Sequence, residues 1–296
     1  MSDDALIGVR AIDRRTDMTY ARFVAEHCVP RRPVILTDAI RSWPAVSRWS
    51  PEYFATTLPD RRVTIDGGTY TIARLVELIA DSSPDAPAPY LRAQKVVDLF
   101  PELAGDLEPD ILFSQPNWAE SRLLPPSMRR ARLHEILLGG RGAGFHVLHY
   151  DKDHLHAFVS QLYGDKEFFL YAPDQTERLY PKTSARNQSS VDIFRPDLEK
   201  HPKFREAEQI AVSLGPGETI FVPAGWWHTT RMPGASISVT WNMFNETNWA
   251  DVVADTRVRV LNRAGVPAGA AFDLYARGFA KVQELRLSPG SAVGSQ

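Results

Sequence analysis

Gly144-Phe145-His146-Val147-Leu148-His149-Tyr150-Asp151 is the stretch whose reading decides the fold. Its distant partner is Val222-Pro223-Ala224-Gly225-Trp226-Trp227-His228. His149 and Asp151 stand at i and i+2, so on an extended strand both side chains leave the same face. Two such groups seat two corners of a metal site, and His228 from another strand would supply the third. Two histidines and one carboxylate cover one face of an octahedral ion and leave three positions open, which suits non-heme Fe(II). A His-x-Asp triplet recurs by chance, and a lone strand histidine is usually structural. The context adds weight: the first pair ends an apolar strand and His228 opens a later one.

Working outward from these stretches, strands are expected at 133–138, 145–150, 156–163 and 167–172, then at 209–214, 219–222, 226–230 and 236–244. Eight short strands punctuated by Gly and Pro predict a closed or double-sheet all-β body. The polar stretch 183–208 reads as a surface excursion, with 186–190 either solvated or covering the substrate. Before the strands, residues 18–27 read as a helix with Tyr20, Phe23 and Val24 on its buried side. Arg32-Pro33-Val34-Ile35-Leu36-Thr37 reads as a short strand, and Ser50-Pro51 as a helix start. Residues 63–72 read as a hairpin turning on Asp66-Gly67-Gly68, followed by an amphipathic helix to Ile79 and a loop with three prolines over 82–89. After Asn248 the pattern predicts two helices, 250–262 and 270–287, joined at Gly265-Val266-Pro267. The chain thus divides into an N-terminal α+β region (1–130), a β core (131–245), C-terminal helices (246–287) and a Gly/Ser/Pro-rich disordered tail (288–296).

Bulk properties narrow the function classes. The chain has 296 residues, 44% hydrophobic and 24% charged, with a formal net charge of −2, as in an ordinary globular protein. That balance gives no electrostatic reason to expect nucleic acid or a membrane surface as a partner. One cysteine, Cys28, excludes an internal disulfide and fits a reducing, cytoplasmic setting. Met1-Ser2-Asp3-Asp4 does not read as a signal peptide, and no apolar run is long enough to span a bilayer.

Two further residues bear on chemistry. Lys166 enters the apolar run Glu167-Phe168-Phe169-Leu170-Tyr171, where burying an ammonium is costly unless an anion meets it. The bland reading is an exposed strand-edge charge. In Ser236-Ile237-Ser238-Val239-Thr240-Trp241-Asn242, alternation puts Ser236, Ser238, Thr240 and Asn242 on one face. That face either lines a cavity or meets solvent. His154 and His156 read as rim histidines, Trp226 and Trp227 as packing, and Tyr150 and Tyr163 as structural.

From Arg132 to Asn245 the chain resembles the JmjC-type cupins, Fe(II)- and 2-oxoglutarate-dependent oxygenases on a double-stranded β-helix (jelly-roll) core with flanking helices. The matching stretches include Leu148-His149-Tyr150-Asp151, Gly164-Asp165-Lys166, Leu170-Tyr171-Ala172-Pro173, Pro216-Gly217-Glu218 and Val222 to His228. Arg32-Pro33-Val34-Ile35-Leu36 and Trp43-Pro44-Ala45 fit the family's N-terminal region. The resemblance is strongest to a hydroxylase branch that includes the asparaginyl hydroxylase of hypoxia-inducible factor and the Jumonji-type lysyl hydroxylases.

That resemblance implies iron ligation by His149, Asp151 and His228, and capture of the distal carboxylate of 2-oxoglutarate by Lys166. Thr240, with Asn242 two residues on, falls where that branch helps hold the co-substrate. It implies O2-dependent hydroxylation of a C–H bond in a protein or peptide side chain, with 2-oxoglutarate converted to succinate and CO2. A free amino acid or small metabolite is the alternative substrate, and a homodimer through the C-terminal helices is implied by analogy. Two positions depart from the family pattern. His146 replaces the usual Thr or Ser, and the region of Val159 lacks the usual asparagine. A demethylase is disfavoured here by the lack of a reader domain or basic tract. The rivals from other classes are a zinc or manganese cupin and a catalytically silent binding module.

Overall fold

The computed structural model describes residues 11–129 and 134–287. The disordered-tail expectation, the first residues, the start of the 133–138 strand and the boundary at 130 lie outside the described residues. The N-terminal region supplies strands β1 (Asp13–Arg15), β2 (Val34–Leu36), β3 (Arg62–Ile65), β4 (Gly68–Thr71) and β5 (Leu91–Lys95). The core supplies β6 (Glu135–Gly139), β7 (Gly144–His149), β8 (His156–Tyr163) and β9 (Lys166–Tyr171). It continues with β10 (Ile210–Leu214), β11 (Thr219–Val222), β12 (Trp227–Arg231) and β13 (Ser236–Met243).

These strands build two facing sheets and a separate β3–β4 hairpin. The larger sheet runs β1-β2-β11-β8-β13-β6-β5 and the smaller β10-β9-β12-β7. Core strands are therefore shared between both sheets, the jelly-roll arrangement expected from the strand pattern. The N-terminal region adds three of the larger sheet's seven strands, with β2 pairing β11 and β5 pairing β6.

Side-chain alternation sorts the larger sheet into two faces. Phe158, Phe221, Val239 and Trp241 point outward into a core completed by Phe23, Trp43, Trp49 and Phe54 from the N-terminal helices. Phe158 stacks on Trp241 with ring centroids 5.4 Å apart. Each such buried aromatic contributes about 2–3 kcal/mol of transfer free energy. The neighbours on the other face, Val159, Ile220 and Val222, pack inward with Phe168 and Leu170 of the smaller sheet. By the same alternation Ser236, Ser238, Thr240 and Asn242 of β13 point between the sheets, and Ser236 and Ser238 are fully buried. The polar face lines an interior, not the solvent side.

Local signals act where they were read. Ser50 Oγ accepts from the Tyr53 amide at 3.1 Å, with Pro51 opening the helix Pro51–Thr57. Asp66 and Gly67 both take positive φ (47° and 86°), the turn that matches strand twist in a two-residue hairpin. The expected helix at 18–27 is a helical turn, Tyr20–Phe23, continued by the wider π turn Val24–Cys28. The C-terminal helix Trp249–Leu287 is broken at Gly265, where φ is 77°, two residues before Pro267. No helix among the described residues is long and apolar enough to cross a membrane.

The polar stretch 183–208 is more than a surface excursion. It runs back along the free edge of β7, where the Tyr150 amide donates to Asn187 O at 3.1 Å and the Ser189 amide donates to Leu148 O at 2.8 Å. His149 and Gln188 form an isolated antiparallel bridge. This strap covers an otherwise unpaired strand edge.

Candidate metal centre

His149 ends β7 and His228 lies second in β12, directly opposite it in the antiparallel ladder. Their rings are 4.5 Å apart between centroids. Asp151 follows β7 with extended backbone (φ −62°, ψ 134°) at the entry to a 3-10 turn. One ligand atom from each of His149, Asp151 and His228 lies within 4.8 Å of the others. All three are partly buried.

Each of these three side chains is oriented from behind. His149 Nδ1 stands 2.9 Å from the Val147 carbonyl and His228 Nδ1 stands 3.0 Å from the Trp226 carbonyl. A carbonyl only accepts, so each Nδ1 carries a proton, and Nε2 is the ring nitrogen left for a metal. Asn242 Nδ2 donates to Asp151 Oδ2 at 3.2 Å. Burial, aided by neighbouring His228, lowers the His149 pKa to about 3, so the imidazole is neutral near pH 7. Burial raises the Asp151 pKa, opposed by His228 and by the Asn242 amide. A buried carboxylate beside the neutral His149 imidazole is a site short of positive charge.

A cavity of about 440 Å³ between the sheets opens onto these three residues. The cupin-like domain family matches residues 20–248. The chain belongs to that family. Among its relatives, Lysine-specific demethylase 8 of Xenopus tropicalis is 30% identical over 227 residues, covering 74% of this chain and 49% of that protein. Lysine-specific demethylase JMJ30 of Arabidopsis thaliana is 26% identical over 254 residues, covering 80% of this chain and 56% of the relative. HSPB1-associated protein 1 of Homo sapiens is 26% identical over 233 residues, covering 67% and 44% respectively. The chain spans about half the length of the curated relatives it matches.

The far end of this cupin-like cavity holds Lys166, whose residue is 0% exposed. Its Nζ donates to Ser238 Oγ and lies 6.0 Å from the centroid of the Tyr90 ring. Burial alone lowers its pKa to about 7. No carboxylate offsets that burial among the described residues, so the exposed strand-edge reading of Lys166 does not hold. Thr240 lines the same cavity, but its hydroxyl donates to the Phe158 carbonyl at 2.9 Å. Asn242 lines it too, with its amide spent on Asp151 and, at 3.4 Å, on the His156 carbonyl.

Several residues matter that the sequence reading passed over. Tyr90 and Arg92 reach the cavity because β5 bulges between Leu91 and Gln94, with Ala93 at φ 55°. Arg92 lies 5.3 Å over the Phe145 ring at the mouth. Leu91-Arg92-Ala93-Gln94-Lys95 carries no alternating pattern, so nothing in it announces a strand. Asn187 and Gln188 of the strap also line the cavity.

The remaining histidines divide. His156 is fully buried and no rim residue: its Nδ1 accepts from the Ala224 amide and its Nε2 bonds Thr247 Oγ1, each at 3.0 Å. It pins the turn that leads into His228. His154 meets Asp255 at 2.8 Å. His146 is exposed and outside the cavity lining. Trp226 and Trp227 are fully buried, as packing residues should be.

Proposed function

We propose that this protein is an Fe(II)- and 2-oxoglutarate-dependent oxygenase that hydroxylates a C–H bond of a protein or peptide side chain. The observation that carries the reading is one cavity with a two-histidine, one-carboxylate triad at one end and, at the other, a buried lysine with no counter-charge among the described residues. The donor set suits Fe(II): two imidazoles and one carboxylate, with room for three exogenous ligands. When bound, the iron supplies the oxygen activation that converts 2-oxoglutarate, O2 and substrate C–H to succinate, CO2 and C–OH.

The chain's own residues do the rest. His149, Asp151 and His228 would hold the metal, their orientation fixed by Val147, Trp226 and Asn242. Lys166 would bind the distal carboxylate of 2-oxoglutarate, a charge-assisted contact strengthened by burial. Asn242 serves the metal end as a positioning residue. Thr240 borders the co-substrate. A side-chain substrate enters past Arg92, Asn187 and Gln188, and water is excluded as it does so.

Relatives named as lysine-specific demethylases, and one named Arginine-specific demethylase JMJ22 in Arabidopsis thaliana, support a protein side chain as substrate. Hydroxylation of an N-methyl carbon followed by loss of formaldehyde uses the same C–H oxidation, so the products separate the two outcomes. Buried Cys28 fits a reducing compartment such as the cytoplasm.

The test is anaerobic addition of Fe(II) and 2-oxoglutarate, read by the weak visible charge-transfer band of the chelated co-substrate. The band is expected in the wild type and absent in His149→Ala. A folded, iron-loaded wild type with no band would overturn the reading. Mass spectrometry of peptide products would then show gain of one oxygen for hydroxylation or loss of CH2 for demethylation.

A further inference from the structure

Asp151 is held from inside the cavity by Asn242, but the chain that follows it is held from outside. Asp153 and His154 take left-handed backbone in succession, with φ of 62° and 49°. Two adjacent non-glycine residues in that region persist only where their surroundings impose it. Here the imposing surroundings are the start of the C-terminal helix. Asp255 meets His154 Nδ1 at 2.8 Å, Arg259 pairs with Asp153, and Asn248 Nδ2 donates to the His154 carbonyl at 2.9 Å. That end of the helix is itself fixed. Trp249 packs among Trp118, Phe244 and Phe279, and Asp251 pairs with Arg31. A rigid element thus grips a strained turn that begins two residues after a ligand.

We infer that Asp255 and Arg259 are positioning residues of the metal centre. They hold the Asp153–His154 turn and, through it, the direction in which Asp151 presents its carboxylate. The inference rests on the reading that His149, Asp151 and His228 bind a metal. Ion pairs at the rim contribute little to stability by themselves. If they only stapled the helix to the core, their loss would leave the metal site unchanged.

Co(II), a spectroscopically visible stand-in for Fe(II), separates the two roles. Affinity and the visible d–d spectrum are measured on wild type, Asp255→Asn, Arg259→Gln and the double variant, alongside thermal unfolding. Arg257→Gln is the control, because it cuts an ion pair to Asp273 on the same helix without touching the turn. The double variant is expected to bind Co(II) about 10-fold more weakly, with an altered spectrum. Each single variant should fall between, Asp255→Glu should recover most of the affinity, and Arg257→Gln should match wild type. Should the double variant fold poorly, the folded single variants carry the comparison. Wild-type affinity and spectrum in Asp255→Asn and Arg259→Gln, or equal weakening in Arg257→Gln, would overturn the inference while leaving the metal reading intact. A folded wild type that binds no Co(II) would sink the metal reading itself, and this inference with it.

Discussion

The two ends of the cavity are built on opposite electrostatic plans. At the triad end every side chain has a partner behind it: a carbonyl for each histidine and an amide for Asp151. At the other end Lys166 has a hydroxyl and an aromatic face, and among the described residues no counter-charge. The first arrangement orients its donors from behind and leaves the buried Asp151 carboxyl short of positive charge. The second holds a charge whose burial is compensated only when an anion arrives. The lysine end is therefore hard to explain as stabilisation and easy to explain as binding.

The most severe break in this comparison is removal of a ligand. His149→Ala or Asp151→Ala should abolish Co(II) or Fe(II) binding in isothermal titration, with the fold retained. Lys166→Met should come next and act in two directions. Affinity for 2-oxoglutarate, measured on the metal-loaded protein, should fall at least 100-fold, since an anion would lose its charge-assisted partner. Thermal stability of the apo protein should rise, because an apolar chain of similar length replaces a desolvated ammonium. A Lys166→Met protein that is less stable would mean that the lysine is structural.

Acid–base behaviour sharpens the same point. The folded-state pKa of Lys166, about 7, lies below the ordinary value of 10.5. Between those values the unfolded chain binds a proton that the fold does not, so stability from this group rises with pH. Below about pH 7 both states are charged and the burial penalty is complete. Above 10.5 both are neutral and it vanishes. The difference in unfolding free energy between Lys166→Met and wild type should therefore shrink from pH 7 upward, by at most about 1.4 kcal/mol per pH unit. Taking the difference removes Cys28 and Tyr90, whose raised pKa values act in the opposite sense at higher pH. A difference that stays constant with pH would show that Lys166 is charged in the fold throughout.

How much of this was legible in the sequence differs between the regions. The core strands announce themselves because short runs such as β8 and β11 are punctuated by Gly and Pro, and alternation along β13 reports two faces with different neighbours. The clustering of His149, Asp151 and His228 was legible because they sit at or beside the ends of strands expected to neighbour one another. The N-terminal contribution to the cavity was not. Arg92 reaches the cavity only through a bulge and a left-handed Ala93, a tertiary outcome with no local signature. The strap was read as surface because its residues are polar, yet its backbone pairs with the edge of β7. Lys166 lay between: its sequence context raises the question of an anion, and only its burial answers it.

Asn242 and Thr240 stand at i and i+2 on one strand, and each sharpens one end of the cavity. Asn242→Ala should weaken Co(II) binding roughly 10-fold by freeing Asp151, at little change in 2-oxoglutarate affinity. Thr240→Val should have the smallest effect. The Thr240 hydroxyl proton is already given to the Phe158 carbonyl at 2.9 Å, so toward an anion it presents lone pairs, not a donor. Replacing it with the near-isosteric valine removes that one bond and leaves the lysine in place. Affinity for 2-oxoglutarate should then change by no more than about 3-fold, against a stability loss of about 1 kcal/mol from the missing hydrogen bond. A loss of 10-fold or more would mean that the hydroxyl turns away from Phe158 when the co-substrate binds. The anion site would then be assembled by its ligand, and the contrast with the preformed metal end would be greater than Lys166 alone makes it.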